Sequence, residues 1–427
     1  MRLFSKNHLL QLLTINLFIF AVVVSSVSNS NIPAIALKII SVVITAFFFI
    51  LPLKKYNVSI QSLLPHPPHT TSPIILLLLL IIIPLLSITW SDNKTYGLLK
   101  WIQLATNTIP LIILFFLGLR LIQNSARSKP DDPPASFFPL KDSLCCPSLE
   151  SIFLNSVIFW SIVTSLSIII LNPIKPETIY QFNVSRWSHV TLGRFQILLL
   201  IIAIAYYINN RFPQRRLLLL ISIFFLSLGI TLSSLRAAIL GMIIFVPVIL
   251  IVAYIRKEMK PAGLLLVFGL IAVGIFGGTM LIRNEAVSQR ISSLVPSNEF
   301  EIKGDGSSSA RIVGFEVSVK RFVESPLVGI GFGGFNSDYE DYPTTMLKYP
   351  HNIILEFLLE LGVIGLALFG WTLYLIIKHT YKHSYLTLIF FLTALWLAFF
   401  SKDIPSNAVF FLGLGYSLTN NNPPPKP

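Results

Sequence analysis

Residues 217–255 read LLLLISIFFLSLGITLSSLRAAILGMIIFVPVILIVAYI. Two apolar runs, Leu217–Leu232 and Leu235–Ile255, stand back to back with only Ser233 and Ser234 between them. Each is close to the length a helix needs to cross the hydrocarbon core of a bilayer, about 20 residues. The pair therefore reads as two membrane helices joined by a very short turn. Arg236 sits at that turn, where a charge is costly unless it is paired or reaches the interface.

Similar runs flank this pair. Upstream they fall at about Leu9–Val27, Ile32–Leu53, Pro73–Trp90, Ile102–Ile122, Ser151–Leu171 and Phe195–Asn209. Downstream they fall at about Pro261–Ile282, Asn352–Ile377, Ser384–Phe400 and Ile404–Leu418. The sequence thus predicts an all-α, polytopic integral membrane bundle of about twelve helices. Composition agrees: of 427 residues, 54% are hydrophobic and 12% charged, and mean hydropathy is +0.75. A soluble domain carries about a quarter of its residues as charged side chains. The first run is too long for the core of a signal peptide and is expected to be a retained anchor.

The net charge of +13 does not indicate a nucleic-acid partner, because the basic residues are scattered through loops and form no stripe. They follow the positive-inside rule instead. With the N-terminus inside, short loops carry 17 Lys and Arg on the inner side against 7 on the outer. Both termini are then expected to be cytoplasmic. Residues 1–282 form a bundle of about nine spans with a cytoplasmic linker near 123–150. Residues 283–351 form one large outer loop with amphipathic helices, and residues 352–427 add about three spans and a short tail. Within the loop, Ile312, Phe315, Val319 and Phe322 are spaced for an amphipathic helix over Ser309–Ser325, suited to lying on the bilayer. A flexible, aromatic-rich turn, Gly329–Phe335, follows. The adjacent Cys145 and Cys146 suit neither an ordinary disulfide nor a zinc site.

Charges on the outer side despite the rule are the informative ones. Arg186 and Arg194 share one short outer loop, Arg236 opens a span, and Arg311 opens the amphipathic segment. The guanidinium fork matches phosphate oxygens and does not lose its charge, so several arginines at an outer mouth suit a diphosphate-bearing lipid. The plain alternative is that each binds lipid headgroups or caps a helix, which is the favoured reading of Lys100 and Lys348. His351, immediately before the apolar run at Asn352, is placed to act as a general base toward a hydroxyl, or else as an interfacial histidine or helix cap. Glu356 and Glu360 are four apart on one helical face and need a partner or a proton once buried. Lys38, within another span, is one partner the sequence offers. No phosphate-binding loop, zinc signature, nucleophile elbow or dinucleotide motif is present, so neither a cofactor nor a metal is expected.

These residues resemble the O-antigen ligase and O-antigen polymerase superfamily of bacterial membrane glycosyltransferases. His351-Asn352, nine residues, Gly362, two residues and Gly365 is similar to its histidine–glycine signature, with Leu366 in place of the usual small hydroxyl residue. Leu232-Ser233-Ser234-Leu235-Arg236 resembles its leucine–serine–arginine turn, with Leu235 intervening before the arginine. The stretch from Arg311 to Phe335 looks like the segment before the family's histidine, and Ile88-Thr89-Trp90-Ser91 resembles an early element. The resemblance implies an active site on the periplasmic face of the bacterial inner membrane. It implies a glycan donor on undecaprenyl diphosphate and inversion without metal. His351 would activate the acceptor, while Arg236 and Arg311 would hold the diphosphate, assisted by Arg194 and Arg186. Asn352, Gly362, Gly365 and Glu360 would serve the motif's structure. The favoured expectation is a ligase acting on lipid A–core. A polymerase joining lipid-linked repeats, a protein-acceptor oligosaccharyltransferase and a lipid-linked glycan transporter are the other readings.

Overall fold

The computed structural model describes residues 71–105, 149–171, 189–210, 212–233, 235–281, 306–335, 349–400, 404–407, 410–411 and 413. The expected spans at Leu9–Val27 and Ile32–Leu53, nearly all of Ile102–Ile122, most of Ile404–Leu418, nearly all of the linker at 123–150, Arg186, Lys38 and Lys348 lie outside the described residues.

All regular elements among the described residues are helices: α1 Thr71–Ser87, α2 Lys94–Gln103, α3 Leu149–Leu171, α4 His189–Asn209 and α5 Arg216–Leu232. Then come α6 Arg236–Ile255, α7 Pro261–Leu281, α8 Gly306–Glu324, α9 Ile353–His383 and α10 Tyr385–Phe399. Five described segments are long and apolar enough to cross a membrane: Leu192–Asn209, Pro213–Leu232, Arg236–Ile255, Pro261–Leu281 and Ile353–Lys378. Three shorter apolar helices accompany them, Leu79–Trp90, Leu154–Ile170 and Tyr385–Phe399. Their outward faces carry Leu217, Ile255, Leu265, Met280 and Phe276, each more than half exposed. An apolar surface of this kind needs hydrocarbon around it rather than water. The chain is a membrane protein.

Two cores organise the bundle. In the first, α5 is central and packs on α3, α4 and α7, with α6 and α10 closing the layer. The α5–α7 seam is close because small residues meet there. A Cβ on Gly274 would lie 2.7 Å from Ser227 Cβ, and one on Gly278 2.7 Å from Thr231 Cβ. The hydroxyls of Ser227 and Thr231 donate to carbonyls one turn back in α5, leaving no polar atom of these side chains facing lipid. The second core joins α1, α2, the segment around Phe332, α9, α10 and Phe410. α10 contributes to both.

α9 departs from expectation. The apolar run at 352–377 predicts one continuous span, but the helix breaks at Gly362, whose φ of 65° and ψ of −166° are not helical. Twelve residues of straight helix would separate Phe357 from Phe369 by about 18 Å. Their rings instead stack with centroids 4.3 Å apart, so the first half of α9 folds across the second. A break in a membrane helix frees backbone groups that must find partners within the protein. Here the preceding glycine-rich segment supplies them. Ile330 N donates to Leu359 O and Gly331 N to Glu360 O, each at 3.0 Å. Val363 N donates to Pro326 O at 2.9 Å and Ile364 N to Leu327 O at 3.2 Å. Gly329–Phe335 is therefore not the flexible turn expected from its composition. Phe332 and Phe335 are fully buried, and positive φ at Gly329, Gly331 and Gly333 lets this backbone pass against its neighbours.

Candidate active site

Asn352 starts the first half of α9. Its Oδ1 accepts from Ile354 N at 2.9 Å and Leu355 N at 3.2 Å, so the capping role falls to Asn352 and not to His351. His351 is left at the junction in a left-handed turn, φ 58°, half-buried, with its ring 4.4 Å from that of Tyr349. The cap fixes the helix, and the imidazole is held just ahead of it.

α8 packs beside this junction. A Cβ on Gly314 would lie 3.6 Å from Pro350 Cα, so the helix that carries Arg311 runs against the residue next to His351. Arg311 stands three residues, nearly one turn, before Gly314 on that helix. The packed side of α8 holds Gly314, Val317 and Ser318, whereas Phe315, Val319 and Val323 are exposed, as are Leu327 and Val328 after it. Of the apolar stripe expected from the sequence, Phe315 and Val319 thus face away from the protein, whereas Phe322 turns inward and packs against Val317, Ile330, Phe335 and Leu359.

The second group of arginines gathers around the α5–α6 turn. Arg236 is the first residue of α6 and half-buried. The turn before it is held by Ser233 Oγ, which donates to Ile230 O at 2.7 Å. α4 meets this turn closely: a Cβ on Gly193 would come 2.4 Å from Ser233 Oγ and 3.3 Å from Leu235 Cβ. Arg194 follows Gly193, so the first turns of α4 and α6 bring Arg194 and Arg236 to one end of the bundle. Arg194 is not in a loop, as the sequence suggested. The helix begins at His189, ahead of the expected start at Phe195, and encloses Arg194 at 4% exposure. α10 links this end to the histidine. Trp396 Nε1 donates to Ala237 O at 2.9 Å, while Leu395 and Ala398 share a core with Ile353 and Phe357.

Beneath His351 lies a charge cluster whose cation the sequence did not single out. Lys100 of α2 is buried, with Nζ 2.6 and 2.7 Å from the two oxygens of Glu360. Glu356 Oε1 lies 2.5 Å from the same nitrogen, an ion-pair distance without the angles of a hydrogen bond. Both carboxylates are fully buried. Nζ also stands 4.6 Å from the centre of the Phe332 ring, a cation–π approach. Among the described residues the cation facing these glutamates is Lys100; Lys38, which the sequence offered, lies outside them. Lys100 is neither a lipid-facing residue nor a cap. The signal available for it was the pair of glutamates in an apolar run, which demands a cation on the same side of the membrane.

The motif glycines are accounted for by the break. A Cβ on Gly362 would fall 2.2 Å from Leu327 O, and one on Gly365 2.1 Å from Leu361 Cβ. The same half-helix has His351 ahead of its cap and the helix bearing Arg311 packed at that junction, while Arg194 and Arg236 lie together at the α5–α6 turn. This is a polytopic membrane protein whose candidate site residues stand on α4, α6, α8 and the junction before α9. Residues 221–370, which take in Arg236, Arg311, the glycine segment, His351 and the break, match the family model described as O-Antigen ligase. Over that stretch, about a third of its length, the chain is similar to the O-antigen ligase and polymerase superfamily, whose members are glycosyltransferase-like enzymes. No curated protein and no solved structure matches the chain.

Proposed function

We propose that this protein is an O-antigen ligase-type glycosyltransferase of the bacterial inner membrane. It moves a polysaccharide from undecaprenyl diphosphate to a sugar hydroxyl of lipid A–core at the periplasmic face. The observation that carries the reading is the packing of α8 against Pro350, which sets Arg311's helix beside His351. His351 accepts the proton of the acceptor hydroxyl as the oxygen attacks the anomeric carbon from the face opposite the diphosphate. Arg311 and Arg236 stabilise the charge that builds on the departing diphosphate, with Arg194 and Arg186 assisting. A diphosphate leaves as a stable anion, so the site needs positive charge more than a proton donor.

The orientation is supported from the other end. Arg215 with Phe212, Arg216 with Tyr207, Arg256 with Tyr385 and Lys378 with Tyr374 pair cations with aromatic faces. Such a basic, aromatic girdle suits the cytoplasmic interface, which turns the His351 end outward. The exposed stripe of Phe315, Val319 and Val323 on α8 then rests on the outer leaflet.

The test is complementation of a null strain with the parental gene, His351→Ala and Arg236→Ala, reading lipopolysaccharide beside lipid-linked glycan. Both variants are expected to leave bare core while long chains accumulate on undecaprenyl diphosphate. Cores capped with a single repeat would mean that the chain is a polymerase. Full function in both variants would remove the site assignment.

A further inference from the structure

The buried Lys100 cluster takes no part in the chemistry above, yet it is the point where the site's supports converge. Three segments meet at one ammonium group. α2 supplies Lys100, the first half of α9 supplies Glu356 and Glu360, and the glycine segment supplies the Phe332 ring. The same segments also interlock through their backbones. Gly331 N donates to the carbonyl of Glu360 itself, and Phe332 N donates to Ser87 Oγ at the end of α1. Trp90 Nε1 donates to Gly329 O, and a Cβ on Gly97 would strike Phe332 O at 2.2 Å.

Two of the three segments lead to a residue of the proposed site. The first half of α9 begins at Asn352, directly after His351. The glycine segment follows α8, which carries Arg311. Burying one ammonium and two carboxylates is a poor way to gain stability, since apolar residues of like volume commonly serve as well. What the cluster supplies is direction. Bidentate contact with Glu360 and close approach to Glu356, one turn away, fix both the rotation and the height of the half-helix.

We propose that Lys100 is a positioning residue: its ammonium locks the first half of α9 to the glycine segment and so sets His351 relative to the helix bearing Arg311. The role in turnover rests on the reading of His351 as the base, whereas the geometric role does not.

Disulfide trapping separates the two. Gly314→Cys and Pro350→Cys are introduced with Cys145 and Cys146 replaced by serine, in the full-length protein in native membranes. A Cβ at 314 would lie 3.6 Å from Pro350 Cα, which keeps the two Cα atoms within the roughly 4.4–6.8 Å that a disulfide spans. The cysteine pair is expected to cross-link readily under mild oxidation, and Lys100→Met to lower the yield at least threefold. Because Lys100→Met leaves two buried carboxylates without their cation, the neutral triple variant Lys100→Met/Glu356→Gln/Glu360→Gln is the second probe. It is expected to elute as a single species with near-parental thermal stability. Its cross-linking yield should stay low, and with native Gly314 and Pro350 its kcat should fall at least tenfold with little change in KM for donor. Parental cross-linking in either variant overturns the positioning role, whatever His351 does. Full activity of His351→Ala with cross-linking still lost would overturn only the assignment of the base.

Discussion

Replacing Gly362 by alanine tests the break in α9 directly. At φ 65° and ψ −166° the residue occupies a region that side chains rarely enter, at a cost of about 1–3 kcal/mol. The new Cβ would also lie 2.2 Å from Leu327 O, 2.3 Å from Leu327 C and 2.6 Å from Val328 N. All three are backbone atoms, so no rotamer relieves the overlap, and about another 1–3 kcal/mol follows if the segment stays in place. If the segment lifts instead, four hydrogen bonds across the break are lost, each worth about 0.5–1.5 kcal/mol. Either route gives a loss of about 2–6 kcal/mol. At roughly 2–4 °C per kcal/mol for a domain of 150–250 residues, apparent Tm should fall by about 4–24 °C. The assay is survival of the monodisperse peak after heating in detergent at a fixed rate, because unfolding of such a protein is effectively kinetic. Gly370→Ala in the same helix is the control: nothing lies within 4 Å of its Cβ position, so the change should be neutral or slightly stabilising. Equal melting of Gly362→Ala and Gly370→Ala would refute the break and the packing built on it.

Asn352→Ala removes the acceptor of two backbone N–H groups and should cost about 1 kcal/mol, whereas Asn352→Asp keeps the cap and most of the stability, as thermal scans would show. Gly278→Leu places a branched side chain where a Cβ already meets Thr231 Cβ at 2.7 Å, and should destabilise by about 1–3 kcal/mol or more. Gly269→Leu, with nothing within 4 Å, should melt with the parent. Glu356→Gln leaves Lys100 facing Glu360 one to one and should change stability by less than about 1 kcal/mol, while Lys100→Met should lose about 3–5 kcal/mol. The reverse order in a side-by-side melt would show that the cluster is not held by its cation.

Hydropathy located α5, α6 and α7 within a few residues, because long apolar runs in lipid have few alternatives to helix. The motif around His351 was equally legible, since its residues are local in sequence. Features that depend on which segments meet were not. Lys100 lies in a short polar stretch that reads as surface, and its carboxylates come 256 and 260 residues later. Arg194 was placed in a loop because Thr191 and Arg194 interrupt the apolar pattern. Inside a bundle, though, a helix buried by its neighbours carries polar residues without showing them in hydropathy. Gly362 was legible as part of a motif but not as a break, for glycine is tolerated within membrane helices. The partners that make this one a break come from Pro326–Gly331, in a segment whose composition reads as flexible.

The break also answers a problem of length. α9 has 31 residues, about 46 Å as a straight helix, against a hydrocarbon core of about 30 Å. A continuous α9 would have to tilt steeply or project its first turns, with Asn352 and His351, well beyond the bilayer. Cut at Gly362, the second half alone is about 30 Å long and suffices as the span. The first half is then free to be placed by packing, with Phe357 against Phe369 and Glu360 against Lys100. In the proposed function the histidine meets a donor anchored in the membrane and so belongs near the headgroups, at a height that a span of fixed length would not set. The glycine segment makes this possible by satisfying the four backbone groups that the break exposes. Since that segment follows α8 directly, the contacts that end the span also bring the helix bearing Arg311 to the histidine.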